Sequence, residues 1–302
     1  MNTRRQTGVR PFNILVTLDR NYLPALTTML KSLFMNNPRT LFHIYLLHDD
    51  LEPEDVESVS GFCARNLAKL VPLRVPDDLF ADAPVNFHYS KAMYYRLLAF
   101  MALPENLDKV LYLDPDILVI NSVRTLYDMD ISRHLYAAAA HVGLTNIATY
   151  VNQVRLNTFD SEYYYNSGVL LMNLECQRRE IDCGDVFAYV RDHREELVLP
   201  DQDVLNALYG KRILPLETER YNYDCRRYDT YLLKSSGVMN VDWVMRNTVL
   251  LHFCGKRKPW TSNYSGRFGT LYKHYMHLSE NHFTVQRMDA DRRVAAAGAP
   301  GA

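Results

Sequence analysis

The chain has 302 residues, 48% hydrophobic and 23% charged, with a net charge of −1. That balance is ordinary for a soluble globular protein of one large or two small domains, and it lacks the global basic field of a nucleic-acid binder. No stretch approaches the ~18 apolar residues of a membrane span.

The N-terminal MNTRRQTGVRPFNILV is basic, but its apolar run is too short for a secretory signal and carries no cleavage pattern. Cys63, Cys176, Cys183, Cys225 and Cys254 form an odd set without a CxxC pair, the pattern of reduced thiols. Both features lead to the expectation of a cytoplasmic protein, working at most at the inner face of a membrane.

FNILVTL (12–18) is a continuous apolar run, as in a strand buried on both faces. Leu23, Leu26, Leu30, Leu33 and Phe34 then recur at helical spacing. LFHIYLL (41–47) predicts a second strand, and residues 53–69 predict a helix opened by Pro53 and acidic residues. KLVPLRV (69–75) predicts a third strand, followed by a helix capped by Ser90 and running to about 101. Strands alternating with helices predict an α/β domain with a largely parallel sheet. Ligands of such sheets bind beyond the carboxyl ends of the strands. Asp19-Arg20-Asn21 and the pair Asp114/Asp116 fall at such ends, and neither cluster is a GxGxxG or GKS/T loop.

KVLYLDPDILVI (109–120) is an apolar run broken by two carboxylates around Pro115. Asp, Pro and Asp are turn formers, so DPD could simply join two strands. Proline holds the preceding residue extended, which would put Asp114 and Asp116 on one side of a short extended stretch. Two such anions at ~4 Å repel by ~4 kcal/mol at an effective dielectric of ~20. A hard divalent ion bound through oxygen, Mg or Mn, removes that repulsion. On this stretch alone the turn and the metal or phosphate role stand level.

YYYNSGVLLMNL (163–174) leads into a buried strand with Asn166 and Gly168 at its entrance. PDQDVLNALYG (200–210) reads as a helix with Asp201 as its cap. NTVLLHFCGKRKPW (247–260) is a strand ending in His252, followed by Gly255 and a basic cluster. A lone histidine at a strand end is usually structural, but one followed by glycine and lysines suits a metal beside phosphates.

The ordered set VTLDRNY, YLDPD, YYNSG with DQD, and HFCGKRKPW resembles glycosyltransferase family 8 from about residue 12 to 280. DxD alone is a weak signal; the ordered set, above all HxCGxxKPW, is a strong one. The likeness is to bacterial α-galactosyl- and α-glucosyltransferases of surface glycans. It implies a single GT-A-type nucleotide-sugar-binding domain, 12–265, with a central, largely parallel mixed sheet flanked by helices. An N-terminal extension (1–11), a C-terminal helical segment (266–293) and a flexible tail (294–302) would complete the chain. The implied activity is metal-dependent, retaining transfer of galactose or glucose from a UDP-sugar to a saccharide or lipid-linked saccharide acceptor, with Mn or Mg as cofactor and no nucleic-acid partner.

Carried over by motif, the resemblance gives Thr17, Asp19 and Asn21 to the nucleoside, and Asp114, Asp116 and His252 to the metal. Asp114 also lies near the ribose, Gly255 and Lys258 hold the diphosphate, Arg96 reaches the donor, and Asn166 contacts the sugar. Asp201 and Gln202 form the pair below the anomeric carbon. Gln202 could stabilise the oxocarbenium-like centre through its carbonyl, and Asp201 as a carboxylate or by covalent attack. The chain departs from some relatives in GLTNIATYVNQVRLN (143–157), which has no matching acidic sugar contact.

Two rivals remain. A phosphatase-like DxD nucleophile normally opens its chain and continues into Gly or Thr, whereas Ile117 follows here in mid-chain. A non-catalytic sugar-nucleotide sensor would be free to lose DQD or the Lys258 cluster, and both are present. RYNYDCRRYDTYLLK (220–234) reads as a polar loop or as tyrosines stacking on acceptor sugars. LYKHYMHLSENHF (271–283) has peripheral membrane contact as one reading, on sparse charge.

Overall fold

The computed structural model describes residues 10–17, 19–75, 91–140, 154–156 and 163–280. The predicted cap Ser90, and all of 143–157 except 154–156, lie outside them. Seven strands form the main sheet: β1 (Phe12–Thr17), β2 (Phe42–His48), β3 (Ala68–Arg74), β4 (Lys109–Leu113), β6 (Tyr136–Ala140), β7 (Tyr165–Asn173) and β8 (Ile213–Leu216). Their order is β3-β2-β1-β4-β7-β6-β8. Neighbouring pairs are parallel except those that β7 makes with β4 and β6. The expected α/β class with a largely parallel sheet is the observed one.

The apolar runs behave as strands covered on both faces. In β1, Leu15 belongs to one apolar cluster with Tyr112 and Leu170, while Ile14 and Val16 belong to the other with Ile44 and Leu111. The helix Leu23–Asn36 carries Pro24 in its first turn, where a missing N–H costs nothing, and buries Leu26, Leu30, Leu33 and Phe34 as spaced. The helix Pro53–Ala64 is opened by a capping box between Glu52 and Asp55. It ends five residues before the predicted limit, because Leu67 takes a positive φ of 57° and the chain pairs with β2 from Ala68. The helix expected up to about 101 ends at Leu97 and continues as a 3-10 turn over Ala99–Met101.

A second sheet has the order β5-β10-β9, formed by β5 (Ile117–Val119), β9 (Tyr223–Asp224) and β10 (Leu250–His252). It covers a third apolar cluster containing Leu118, Tyr223, Leu251, Phe253 and Tyr272. DPD is therefore a turn and not an extended stretch: it carries the chain from β4 in one sheet to β5 in the other. Ile117 N–H donates to the Asp114 carbonyl across it (3.3 Å). The tyrosines of 220–234 are core and not a sugar platform, since Tyr221, Tyr223, Tyr228 and Tyr231 are all buried. A helix over 269–280 lies against the small sheet, with the Tyr272 ring 5.1 Å from Phe253. No helix of the described residues is long and apolar enough to cross a membrane.

Candidate active site

The carboxyl ends of β1 and β4, the start of β7 and the end of β10 meet at one place. Pairing of β10 with β5 sets His252 opposite Ile117, which brings the imidazole back to the DPD turn. Phe253 N–H donates to the Asp116 carbonyl (3.0 Å) and Asp114 N–H to the Gly168 carbonyl (2.9 Å), so the backbone ties all three strands at the turn. Asp114, Asp116 and His252 each present one ligand atom, all within 4.8 Å of one another.

Each carboxylate has one oxygen engaged elsewhere. Asp114 Oδ1 accepts from Arg96 (2.7 Å) and from the Tyr112 hydroxyl, which leaves Oδ2 turned to His252 Nε2 (3.8 Å). Asp116 Oδ2 accepts from Lys258 Nζ, while Oδ1 faces His252 Nε2 at 3.2 Å. Two carboxylate oxygens and one imidazole nitrogen thus converge, a donor set that fits a hard or borderline divalent ion such as Mg or Mn.

These groups are electrostatically coupled. Burial works against the charge of Asp116, but His252 and Lys258 more than offset it and hold the carboxylate well below its usual range. Burial, helped by Asp116, pushes Asp114 up against the pull of Arg96. Burial also opposes charge on His252, yet Cys254 and Asp116 beside it hold its pKa well above the ordinary histidine range. The sign of two pH effects follows. A folded pKa raised above the unfolded value stabilises the metal-free protein fully below about 6.5, and the gain is lost as pH climbs above it. A divalent ion must displace the proton from Nε2, so its affinity runs the other way. Calorimetric titration with Mn²⁺ should show binding tightening as pH rises, by up to about tenfold per pH unit while the imidazole is still protonated. Melting in chelator over the same range should fall.

Arg96 joins the metal end of the site to the sugar end. Its guanidinium donates to Asp114, to Ser167 Oγ (3.1 Å) and to Asp201, and lies 4.8 Å from the centre of the Tyr112 ring. Asp201 does not cap its helix, contrary to the sequence reading. The N-cap of Pro200–Tyr209 is Leu199, and the carboxylate that accepts from Val198 N–H (2.7 Å) and Leu199 N–H (2.9 Å) is Asp203. A carboxylate one turn into the helix reaches back over its start, which frees Asp201 to face Arg96 and Ser167.

Gln202 is buried at 3% exposure, with Oε1 accepting from Asn166 Nδ2 (3.0 Å) and Ser167 N–H (3.4 Å). Thr17 is buried at the end of β1, its hydroxyl 3.2 Å from that of Tyr112. Asp19 and Asn21 are exposed just beyond it, and Asp19 accepts from Asn21 N–H (2.8 Å). Lys258 also donates to the Phe253 carbonyl (3.2 Å). Gly255 has a positive φ of 88°, and a Cβ there would sit 2.7 Å from an Arg226 nitrogen.

A family model described as Glycosyl transferase family 8 matches residues 13–264. The chain belongs to glycosyltransferase family 8. General stress protein A of Bacillus subtilis is 26% identical over 87% of this chain and 92% of its own length. The lipopolysaccharide 1,2-glucosyltransferase of Escherichia coli is 26% identical over 82% of this chain and 73% of its own. Among solved structures, the galactosyltransferase LgtC in complex with donor and acceptor sugar analogs superposes with a TM-score of 0.72 at 24% identity, covering 88% of this chain and 95% of that one. The GT-A-type architecture expected from the motifs is thus the fold of this family 8 enzyme.

Several residues of the family 8 site escaped the sequence reading. Tyr112 reads in sequence as one more apolar strand residue, and nothing in the NSG stretch singles out Ser167. Asn222, inside the supposed polar loop, accepts from His252 Nδ1–H (2.8 Å) and donates to Asn166 Oδ1 (2.7 Å). Its only cue was its place in RYNYD, beside a strand that pairs with the histidine's strand.

Proposed function

We propose that this family 8 enzyme is a hexosyltransferase that moves galactose or glucose from a UDP-sugar to a saccharide or lipid-linked saccharide, in a metal-dependent reaction that retains the anomeric configuration. The observation that carries the reading is the convergence of Asp114, Asp116 and His252 beside Lys258, at the strand ends where an α/β sheet binds ligands. The glucosyl- and galactosyltransferase names of its relatives support the choice of hexose.

Breaking a glycosyl–phosphate bond places negative charge on the departing diphosphate and positive charge on the sugar. Mn or Mg held by Asp114, Asp116 and His252 would supply Lewis-acid stabilisation of that diphosphate. Lys258 adds a mobile cation on a flexible stem, able to turn from Asp116 to a phosphate oxygen, and Gly255 gives the backbone close approach. Thr17, Asp19 and Asn21 border the nucleoside end. Arg96 holds Asp114 and Asp201 in register, and Asn166 contacts the sugar.

Asp201 is tied to Arg96 and to the Ser167 hydroxyl, and the neighbouring Asp203 is fully buried under Arg155, the Tyr164 hydroxyl and two backbone N–H groups. Neither is poised as a free nucleophile, which favours front-side attack with the leaving phosphate taking the acceptor proton. Gln202→Ala should leave the donor's dissociation constant within a few fold while turnover drops ~10²–10³-fold, as for loss of one polar stabiliser of developing charge. Early proton NMR of the wild-type product should show the α configuration. A β product, or an unchanged rate in the variant, would overturn the proposal.

A further inference from the structure

The side-chain amides of the site form a directed chain whose polarity is set by backbone. Backbone N–H groups only donate. Gly168 N–H donates to Asn166 Oδ1 (3.0 Å), so the other end of that amide must be the Nδ2 that donates to Gln202 Oε1 (3.0 Å). Ser167 N–H also donates to Gln202 Oε1 (3.4 Å), which pins the glutamine in the same sense. With Asn166 Oδ1 an acceptor, Asn222 must turn Nδ2 toward it (2.7 Å) and Oδ1 toward His252 Nδ1 (2.8 Å). One imidazole proton is then held on Nδ1, so the proton that a metal must displace is the one on Nε2, the nitrogen facing Asp114 and Asp116.

We propose that Asn222 is a positioning residue with two outputs: it fixes the tautomer and ring angle of His252, and through Asn166 it fixes the amide of Gln202. Its side chain bonds to His252 on one side and to Asn166 on the other. Its place is set by β9 pairing with β10, with Tyr223 opposite Leu251, so the residue before β9 sits beside the histidine's strand. Asn222 is 5% exposed.

The inference rests on the metal reading above only for its first output, and the variants separate the two. Asn222→Ala should weaken binding of Mn²⁺ alone, measured by calorimetry, by the ~10–100-fold typical of losing the partner of a metal-bound histidine. It should also lower turnover at saturating Mn²⁺. In Asn222→Asp the carboxylate still accepts from Nδ1–H but cannot donate to Asn166, where it meets an acceptor oxygen. Mn²⁺ affinity should return to within a few fold of wild type, while turnover stays about tenfold or more down. A merely structural role would move both readouts together and leave Asp no better than Ala. Equal Mn²⁺ affinity in Asn222→Ala and wild type, or wild-type turnover in Asn222→Asp, would overturn the proposal. Nitrogen-15 NMR of the metal-free protein gives a readout independent of any ion: a slowly exchanging proton on His252 Nδ1 in wild type, lost in Asn222→Ala. That signal with no Mn²⁺ binding in wild type would sink the metal reading and keep the chain; a persistent signal in Asn222→Ala would sink the chain.

Discussion

Asp116→Asn should leave a folded protein that transfers almost no sugar. The side chain is 6% exposed, and each oxygen has its own task, Oδ1 toward His252 Nε2 and Oδ2 toward Lys258. An amide of the same shape loses the charge and one of the two oxygens. It leaves the lysine and the imidazole facing each other without the anion that offsets them. Loss of a direct ligand should weaken Mn²⁺ binding by more than the ~10–100-fold assigned to an outer partner. Turnover should fall by at least ~10³-fold, since electrostatic stabilisation of the leaving group goes with it. Loss of the buried pair should also lower stability of the metal-free protein by up to ~3 kcal/mol. Donor hydrolysis with added Mn²⁺ and with chelator is the measurement. Full activity of this variant in chelator would remove the metal from the reaction.

Gly168→Ala should be almost as severe, for a steric reason and not an electrostatic one. A Cβ at this position would lie 2.4 Å from His252 Cε1, 2.6 Å from Asp114 Oδ2 and 3.1 Å from Asn166 Oδ1. The first two distances are shorter than any real contact, and both belong to groups locked by other bonds. Relief requires β7 or the imidazole to move by about 1 Å, and a misplacement of that size in a catalytic constellation costs ~10²-fold. Activity should fall by about that factor with little change in far-ultraviolet circular dichroism. Wild-type kinetics in the alanine variant would mean that the strand entrance is looser than this packing allows. Here the glycine's role is space alone, whereas at Gly255 the positive φ adds a backbone reason.

The strands and long helices were legible because their signals are local. A continuous apolar run such as FNILVTL has one good use in a chain of this size, and every described residue of it, Phe12–Thr17, is β1. Boundaries were less legible where tertiary pairing intervened, as at Leu67, whose left-handed backbone no periodicity announces. DPD shows that the two local readings were never rivals: the turn is what carries the carboxylates together. The confusion of Asp201 with Asp203 had a different source, since both suit a first helical turn and only the position of Arg96 and Arg155 tells them apart. Those arginines lie 105 and 48 positions away, beyond any spacing rule. Asn222 was illegible for the same reason, being 30 positions from the histidine whose proton it holds.

The turn between the sheets also has a consequence for how the protein comes together. Asp114 and His252 are 138 positions apart (252 − 114), and their meeting depends on the pairing of β5 with β10. An unfolded chain offers an ion no comparable set of ligands, so whatever free energy binding releases falls wholly on the assembled state. The ion would then act as a fastener across a seam, closing a junction that the chain's own long-range contacts must first bring within reach.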